Sequence, residues 1–518
     1  MKKLILIMLL AGSIFAQEVV ELKLPNSNKV VIKLRFQNGS ITDPVGKEGL
    51  THFTANLVTQ GGTEKMSYSE IQDFIYPMAA SYYVNVDKEV ATFTFQVHMD
   101  FLNKFYPVMM NMMLSPAFSE SDFQRVKTNQ QNYVDQVIRA SSDEEYSKKA
   151  LEDLLFRGTN YQHMKQGMSE SVRSITIDDV KDHYKNYFTS NNLIIGIAGN
   201  YSNDFLTKLK NDLQKLSDAK PEIPEPGKAI MPKGLQVEIV QKDNAFGSAI
   251  FAGFPLSITR ADDEFAALAV ANSYLGEHRK SYSKLYQLLR ETRSMNYGDY
   301  SYIEWYDNGG GNMLPPSGTP RTSNYFSIWI RPVQIAKQLK QQYEELKEVE
   351  IGHAHFALRM ALKEIDRLVQ NGLTQKEFET TRDFLISYTK LYAQSPSARL
   401  GYLMDSRFYG REDYIAELDN LLRDLTLDDV NKAIKKHWQV ENMFVTIITD
   451  KSEAGPLAAS IKENKPSPMS YSDQVKEGLP EEVLQQDAEA ANFKLNVKNV
   501  EIINSEETFK KKEDKVSL

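Results

Sequence analysis

Residues 175–200 read ITIDDVKDHYKNYFTSNNLIIGIAGN, and residues 425–450 read LTLDDVNKAIKKHWQVENMFVTIITD. At a fixed offset of 250, 7 of the 26 positions are identical and most of the others keep their polarity. Such self-similarity marks an internal duplication. Each copy opens on Thr-x-Asp-Asp-Val, beginning at Thr176 and Thr426. A threonine followed by aspartates suits a helix N-cap and first turn, where unpaired backbone N–H groups need an acceptor. Each copy then passes into an apolar run, residues 193–198 and 443–448, of the kind that forms a buried strand.

A second correspondence supports the first. Ser119-Glu-Ser-Asp-Phe123 opens a long helical stretch, and so does Thr374-Gln-Lys-Glu-Phe378. Between the halves, residues 215–234 carry Pro221, Pro224, Pro226 and Pro232. Repeated prolines fix φ and remove donors, which predicts an extended linker. The alternating runs 90–97 and 325–331 suit half-buried antiparallel strands. Together these features predict an α+β fold of two homologous α/β modules, residues 17–214 and 235–451, each an antiparallel-rich sheet with helices packed on one face. Residues 452–518 are polar and lysine-rich and are expected to wrap the body as a tail and then fray.

With 518 residues the chain exceeds what one hydrophobic core serves. Apolar residues at 42% and charged residues at 25% are ordinary for a globular protein. A net charge of −8 without an evident basic face argues against nucleic acid as a partner. The absence of cysteine excludes disulfides, thiolate catalysis and cysteine metal sites. Lys2 and Lys3, an apolar run over residues 4–11 and the small Ala16 read as an export signal over residues 1–16. Its removal takes the charge from −8 to −10 and places the mature protein in a periplasm-like space, with no further span of membrane-crossing length.

The stretch Gly39-Ser-Ile-Thr-Asp-Pro-Val-Gly-Lys-Glu-Gly-Leu-Thr-His-Phe-Thr-Ala-Asn56, followed by Leu57-Val-Thr-Gln-Gly-Gly-Thr63, resembles the start of the active-site helix of the pitrilysin/insulinase zinc peptidases. In that family the helix carries an inverted motif, His-x-x-Glu-His. Two imidazoles four residues apart share a helical face and grip zinc, and the glutamate acts as base on the zinc-bound water. The corresponding residues here are His52, Phe53, Thr54, Ala55 and Asn56. Ala55 cannot accept a proton, and Asn56 offers a neutral oxygen in place of an imidazole nitrogen. The family's third ligand, a glutamate, corresponds to the window 130–136, where Asp135 is the sole carboxylate. The resemblance thus implies that this chain binds no metal. His353 and His355 are two residues apart and point to different faces of a helix. His98, His163, His183, His278 and His437 are scattered structural or surface residues.

In the second module, Ser283-Lys-Leu-Tyr-Gln-Leu-Leu-Arg-Glu-Thr-Arg-Ser-Met-Asn-Tyr297 is similar to the family's segment that supplies an arginine and a tyrosine to the site. The matching pair is Arg290 and Tyr297, with Arg293 between them as a surface charge. Alone, Arg-x6-Tyr is a pattern that any helix-to-strand junction can show. A guanidinium and a phenol stabilise the tetrahedral oxyanion of peptide hydrolysis without touching metal, so both can arrive from another polypeptide. Some members of the family divide the work between two subunits. The resemblance, over roughly residues 18–451, implies a metal-free partner of a zinc-bearing homologous peptidase subunit, acting on unfolded peptides. The alternative is a structural or peptide-binding pseudopeptidase without catalytic contribution. A self-sufficient hydrolase of other chemistry lacks a Gly-x-Ser-x-Gly elbow. The Gly- and Pro-rich loop 307–320 has no phosphate-cradle context. A surface insertion or a flap over a peptide chamber remains open for it.

Overall fold

A computed structural model describes residues 18–278, 280–305 and 314–509. The expected export signal, residues 1–16, and the end of the lysine-rich tail lie outside them. The first module carries β1 (Val19–Lys23), β2 (Lys29–Phe36), β3 (Ser81–Val86), β4 (Ala91–His98) and β5 (Leu193–Gly199), in the spatial order β1-β5-β2-β4-β3. The second carries β6 (Leu235–Lys242), β7 (Ser248–Leu256), β8 (Asp299–Tyr302), β9 (Asn324–Val333), β10 (Phe444–Asp450) and β11 (Val497–Asn504), in the order β11-β6-β10-β7-β9-β8. Without β11 the two orders coincide, with β6 in the place of β1, β10 of β5, β7 of β2, β9 of β4 and β8 of β3. The senses agree too. The β1–β5 and β6–β10 pairs are parallel, and the others of the two five-strand sets are antiparallel.

The repeated sequence builds the same unit twice. Thr176 and Thr426 each cap a helix, Ile177–Tyr187 and Leu427–His437, with reciprocal capping boxes closed by Asp179 and Asp429. Each helix leads into the strand second from the edge of the shared five-strand order, β5 or β10.

The strands expected to be half-buried, β4 and β9, are largely buried on both faces, and so is β2. Along β2, Val30, Ile32, Leu34 and Phe36 face the core of the first module. On the opposite face, Val31 packs with Leu400 and Met404 of the helix Pro396–Phe408, which belongs to the second module. In return, the first module's helix Asp143–Leu155 lays Tyr146, Leu151 and Leu155 against Phe251 and Trp329 of the second sheet. Each sheet is therefore covered by its own helices on one side and by a helix of the other module on the second. The polar alternation in β2 also has a structural cause: Arg35, 1% exposed, donates to Asp405 of the crossing helix at 2.5 Å.

The segment set apart as a tail is folded onto the second module. Ala454, Leu457 and Ile461 recur at helical spacing within a lysine-rich background and enter its core, and β11 extends the sheet beside β6 in parallel. The linker runs without helix or strand through residues 217–232 and is held by Asn160, which donates to Glu225 O at 2.9 Å and accepts from Gly227 N at 2.8 Å. Residues 306–313 of the Gly/Pro-rich loop lie outside the described residues. Its remainder is no surface insertion. Gly318 N donates to Asp405, Tyr402 OH to Pro315 O, and Arg321 to Asp87 and Glu152 of the first module. Among the described residues, no helix is long and apolar enough to cross a membrane.

Candidate functional site

The helix Leu50–Gln60 is positioned with care. Gly49 precedes it at φ +95°, where a Cβ would stand 2.6 Å from Gln166 O. The first turn is capped from a distance by Asp43, which accepts from Gly49 N and Thr51 N at 2.7 Å each and from Thr51 Oγ1 at 2.6 Å. Below Thr51 lies His183, 3.0 Å away, whose burial pushes it down to about 4 and keeps it neutral. Phe53 and Leu57 pack towards Phe123 and Val126, while the wholly buried Ala55 and Val58 join the core under the sheet. His52 and Asn56 are left on the remaining, part-exposed face.

That face carries a chain of hydrogen bonds. Gln130 Nε2 donates to Gln166 O at 2.8 Å and to Gly49 O at 3.2 Å, which orients its amide. Its Oε1 is thereby turned to His52 Nδ1 at 3.0 Å. Asn56 Nδ2 stands 3.3 Å from this nitrogen and 3.2 Å from the other, Nε2. Asn56 Nδ2 also donates to His52 O at 2.8 Å, and Asn56 Oδ1 accepts from Gln60 at 2.9 Å.

Asp135, the sole carboxylate in the window of the family's third ligand and counted with the degenerate motif, is not part of this cluster. It accepts from Ser169 Oγ at 2.9 Å and faces Arg173 at 3.9 Å, in an open cleft of about 630 Å³ that also admits Arg139, Lys242 and Glu506. The side chain that meets His52 is Gln130. A search for carboxylates passes over it, although it lies in the same window and is the amide counterpart of a glutamate. Among the described residues, no group of three or more His, Cys, Asp or Glu side chains could hold a metal ion. One imidazole and two amides do not supply the donor set of a catalytic zinc.

Arg290 and Tyr297 do come together. Arg290 lies in the short π-helical segment Tyr286–Glu291 and donates to Tyr286 OH at 2.9 Å and Glu291 at 3.3 Å. Its guanidinium stands 5.2 Å from the Tyr286 ring centre and 5.6 Å from that of Tyr297. Tyr297 is 78% exposed. The turn beneath it is tied by Asn296, which donates to Asp299 at 2.7 Å and to Arg331 O at 2.9 Å. Asp299 is fully buried, and desolvation pushes it up to about 8. Arg293 is not the surface charge expected between the pair: its side chain is buried and donates to Asp487 at 2.7 Å. His353 and His355 diverge as expected, to Ser470 O and Ser460 Oγ.

Residues 18–167 match the family described as Insulinase (Peptidase family M16), and residues 174–385 match the Peptidase M16 inactive domain. The protein called Non-peptidase homolog YmxG of Helicobacter pylori is 21% identical over 470 residues, covering 88% of this chain and 100% of its own length. Bacillus subtilis has a relative called Uncharacterized zinc protease YmxG, 22% identical over 415 residues and covering 79% of this chain and 90% of its own. In fold, the chain is similar to a peptidase M16 inactive domain from Pseudomonas fluorescens, with a TM-score of 0.70 at 17% identity over 84% of this chain and 96% of that one.

Proposed function

The chain belongs to the insulinase family, peptidase M16, and on that premise we propose that it is a non-catalytic subunit which completes the active site of a zinc-bearing homologue. One observation carries this. At the zinc helix every group that would bind metal or accept a proton, except His52, is replaced by a neutral side chain engaged in hydrogen bonds or buried in the core. The Arg290–Tyr297 pair, by contrast, is intact and adjacent, with Arg290 part-exposed and Tyr297 open to solvent. In a peptidase complex those two donors stabilise the oxyanion formed on the partner's zinc, or hold the peptide backbone beside it. The substrate is an unfolded peptide, the zinc belongs to the partner, and the complex works outside the cytoplasm after removal of residues 1–16.

The test is reconstitution. The purified chain is expected to hold no stoichiometric zinc and to cleave no peptide. Mixed with a homologue carrying an intact His-x-x-Glu-His helix, it is expected to raise peptide hydrolysis. Arg290→Ala and Tyr297→Phe should each lower that turnover by about 10²- to 10³-fold, the loss typical of one oxyanion donor. A mixture whose rate is indifferent to both substitutions rejects the shared site and leaves a structural or peptide-binding pseudopeptidase.

A further inference from the structure

The described part of the chain after β10 forms a strap. The helix Lys451–Lys462, the short helix Asp473–Glu477, the helix Glu481–Asn492 and β11 follow one another across the second module, beyond the 174–385 family match. The body holds this strap through the helix Ala354–Asn371. From it the wholly buried Arg359 donates to Lys465 O at 2.6 Å, Ser467 Oγ at 2.9 Å, Ala491 O at 2.6 Å and Asn464 Oδ1 at 2.8 Å.

One contact has a different address. Asp487, on the strap, accepts from Arg293 Nε at 2.7 Å with one oxygen and from Tyr471 OH at 2.8 Å with the other. Gln486 stands 3.4 Å from Arg293 Nη2. The remaining arm of the guanidinium, Nη1, donates at 2.6 Å to Leu288 O, inside the π-helical segment that carries Arg290. The backbone between is tightly wound: Ser294 N donates to Arg290 O at 2.8 Å, Met295 N donates to Leu289 O at 3.1 Å, and Ser294 adopts φ +51°. A non-glycine residue in that conformation persists only where its surroundings fix it. Arg293 points inward from the turn, while Arg290 and Tyr297 point outward from its two ends.

We propose that Arg293 and Asp487 are positioning residues: through them the C-terminal strap holds the turn between Arg290 and Tyr297 in the shape that presents both side chains. The proposal takes from the functional assignment only the idea that these two side chains are presented to a partner. A planar guanidinium gripping the strap with one arm and the turn with another couples two segments that are distant in sequence. Loss of the Asp487 carboxylate would leave Arg293 buried and uncompensated, and the turn would be the element free to relax.

Hydrogen–deuterium exchange of the full-length chain, read on peptides covering residues 286–300, tests the coupling without any partner. Asp487→Ala is expected to speed exchange there by at least about tenfold, with Tyr471→Phe a smaller effect in the same direction. Glu489→Gln, on the same helix but paired with Lys363 on the surface, should leave those peptides unchanged. A folded Asp487→Ala or Tyr471→Phe chain whose 286–300 peptides exchange as in the parent would overturn the proposal. So would equal acceleration by Glu489→Gln. In the reconstituted mixture, Asp487→Ala should lower kcat more than it raises KM, and Asp487→Asn should restore part of the loss; a change in KM alone counts against positioning. If exchange responds as stated while Arg290→Ala leaves turnover untouched, the strap coupling stands and the shared active site falls.

Discussion

Asp299 keeps its proton at neutral pH because burial is worse for its anion than the single Asn296 hydrogen bond can offset. Its ordinary value of 3.8 is raised to about 8 in the folded chain. Between those two values the folded state holds a proton that the unfolded state has released, so this residue makes stability fall as pH rises, by up to about 1.4 kcal/mol per pH unit. Below the window both states are protonated and above it both are ionised, and the slope vanishes at each end. Asp299→Asn should remove this contribution: the stability lost between pH 5 and pH 8 in urea titrations should be smaller in the variant. An unchanged loss would mean that Asp299 is not the group that holds the proton. The same residue supports the turn below Tyr297, so the buried acid is a local cost at the place where the two donors are displayed.

At the scale of an element, the helix Leu50–Gln60 has kept its geometry while losing its chemistry. Asp43, Gly49 and Gln166 still fix its first turn, and Gln130 reaches His52 with an oxygen where a metal ligand could sit. Few substitutions therefore separate it from a metal site. Asn56→His with Gln130→Glu should supply two imidazoles and a carboxylate on one face and take up close to one zinc per chain by elemental analysis. Asn56→His with Asp135→Glu should not, because Asp135 points to Ser169 and Arg173. Zinc retained equally by both double variants would contradict the assignment of Gln130 to the third-ligand position. Peptide cleavage would further need a base at position 55, where the present methyl group is fully buried.

For the molecule as a whole, the decisive feature is the exchange of helices between modules. Each sheet depends on the other half to cover one face, so neither module keeps its present core alone. The pair Arg35–Asp405 lies within this contact, both side chains 1% exposed. Removing one partner leaves an unpaired buried charge, and Arg35→Ala or Asp405→Ala should cost about 3–5 kcal/mol of unfolding free energy. Replacing both by leucines should cost much less. Equal losses in the single and double variants, measured by chemical denaturation, would show that the pair's charge is not what matters. The loop segment from residue 314 onward shares this interface through Gly318 and Arg321, which ties a segment of unusual composition to the contact between the two halves.

The duplication, the capped helices at Thr176 and Thr426 and the eroded His52–Asn56 motif were all written in local patterns. Caps, periodicity and motif spacing depend on residues a few positions apart, and the chain carries that information without its partners. Contacts between distant segments were not visible in that way. The alternation in β9 is the pattern of a sheet with one wet face, and only the crossing helix from the other module makes both faces dry. Gln130 becomes a neighbour of His52 because two backbone carbonyls turn its amide, and Arg293 is buried because a strap nearly 200 positions away supplies Asp487. A charged side chain reads as surface in sequence, since its partner and its burial are properties of the folded whole.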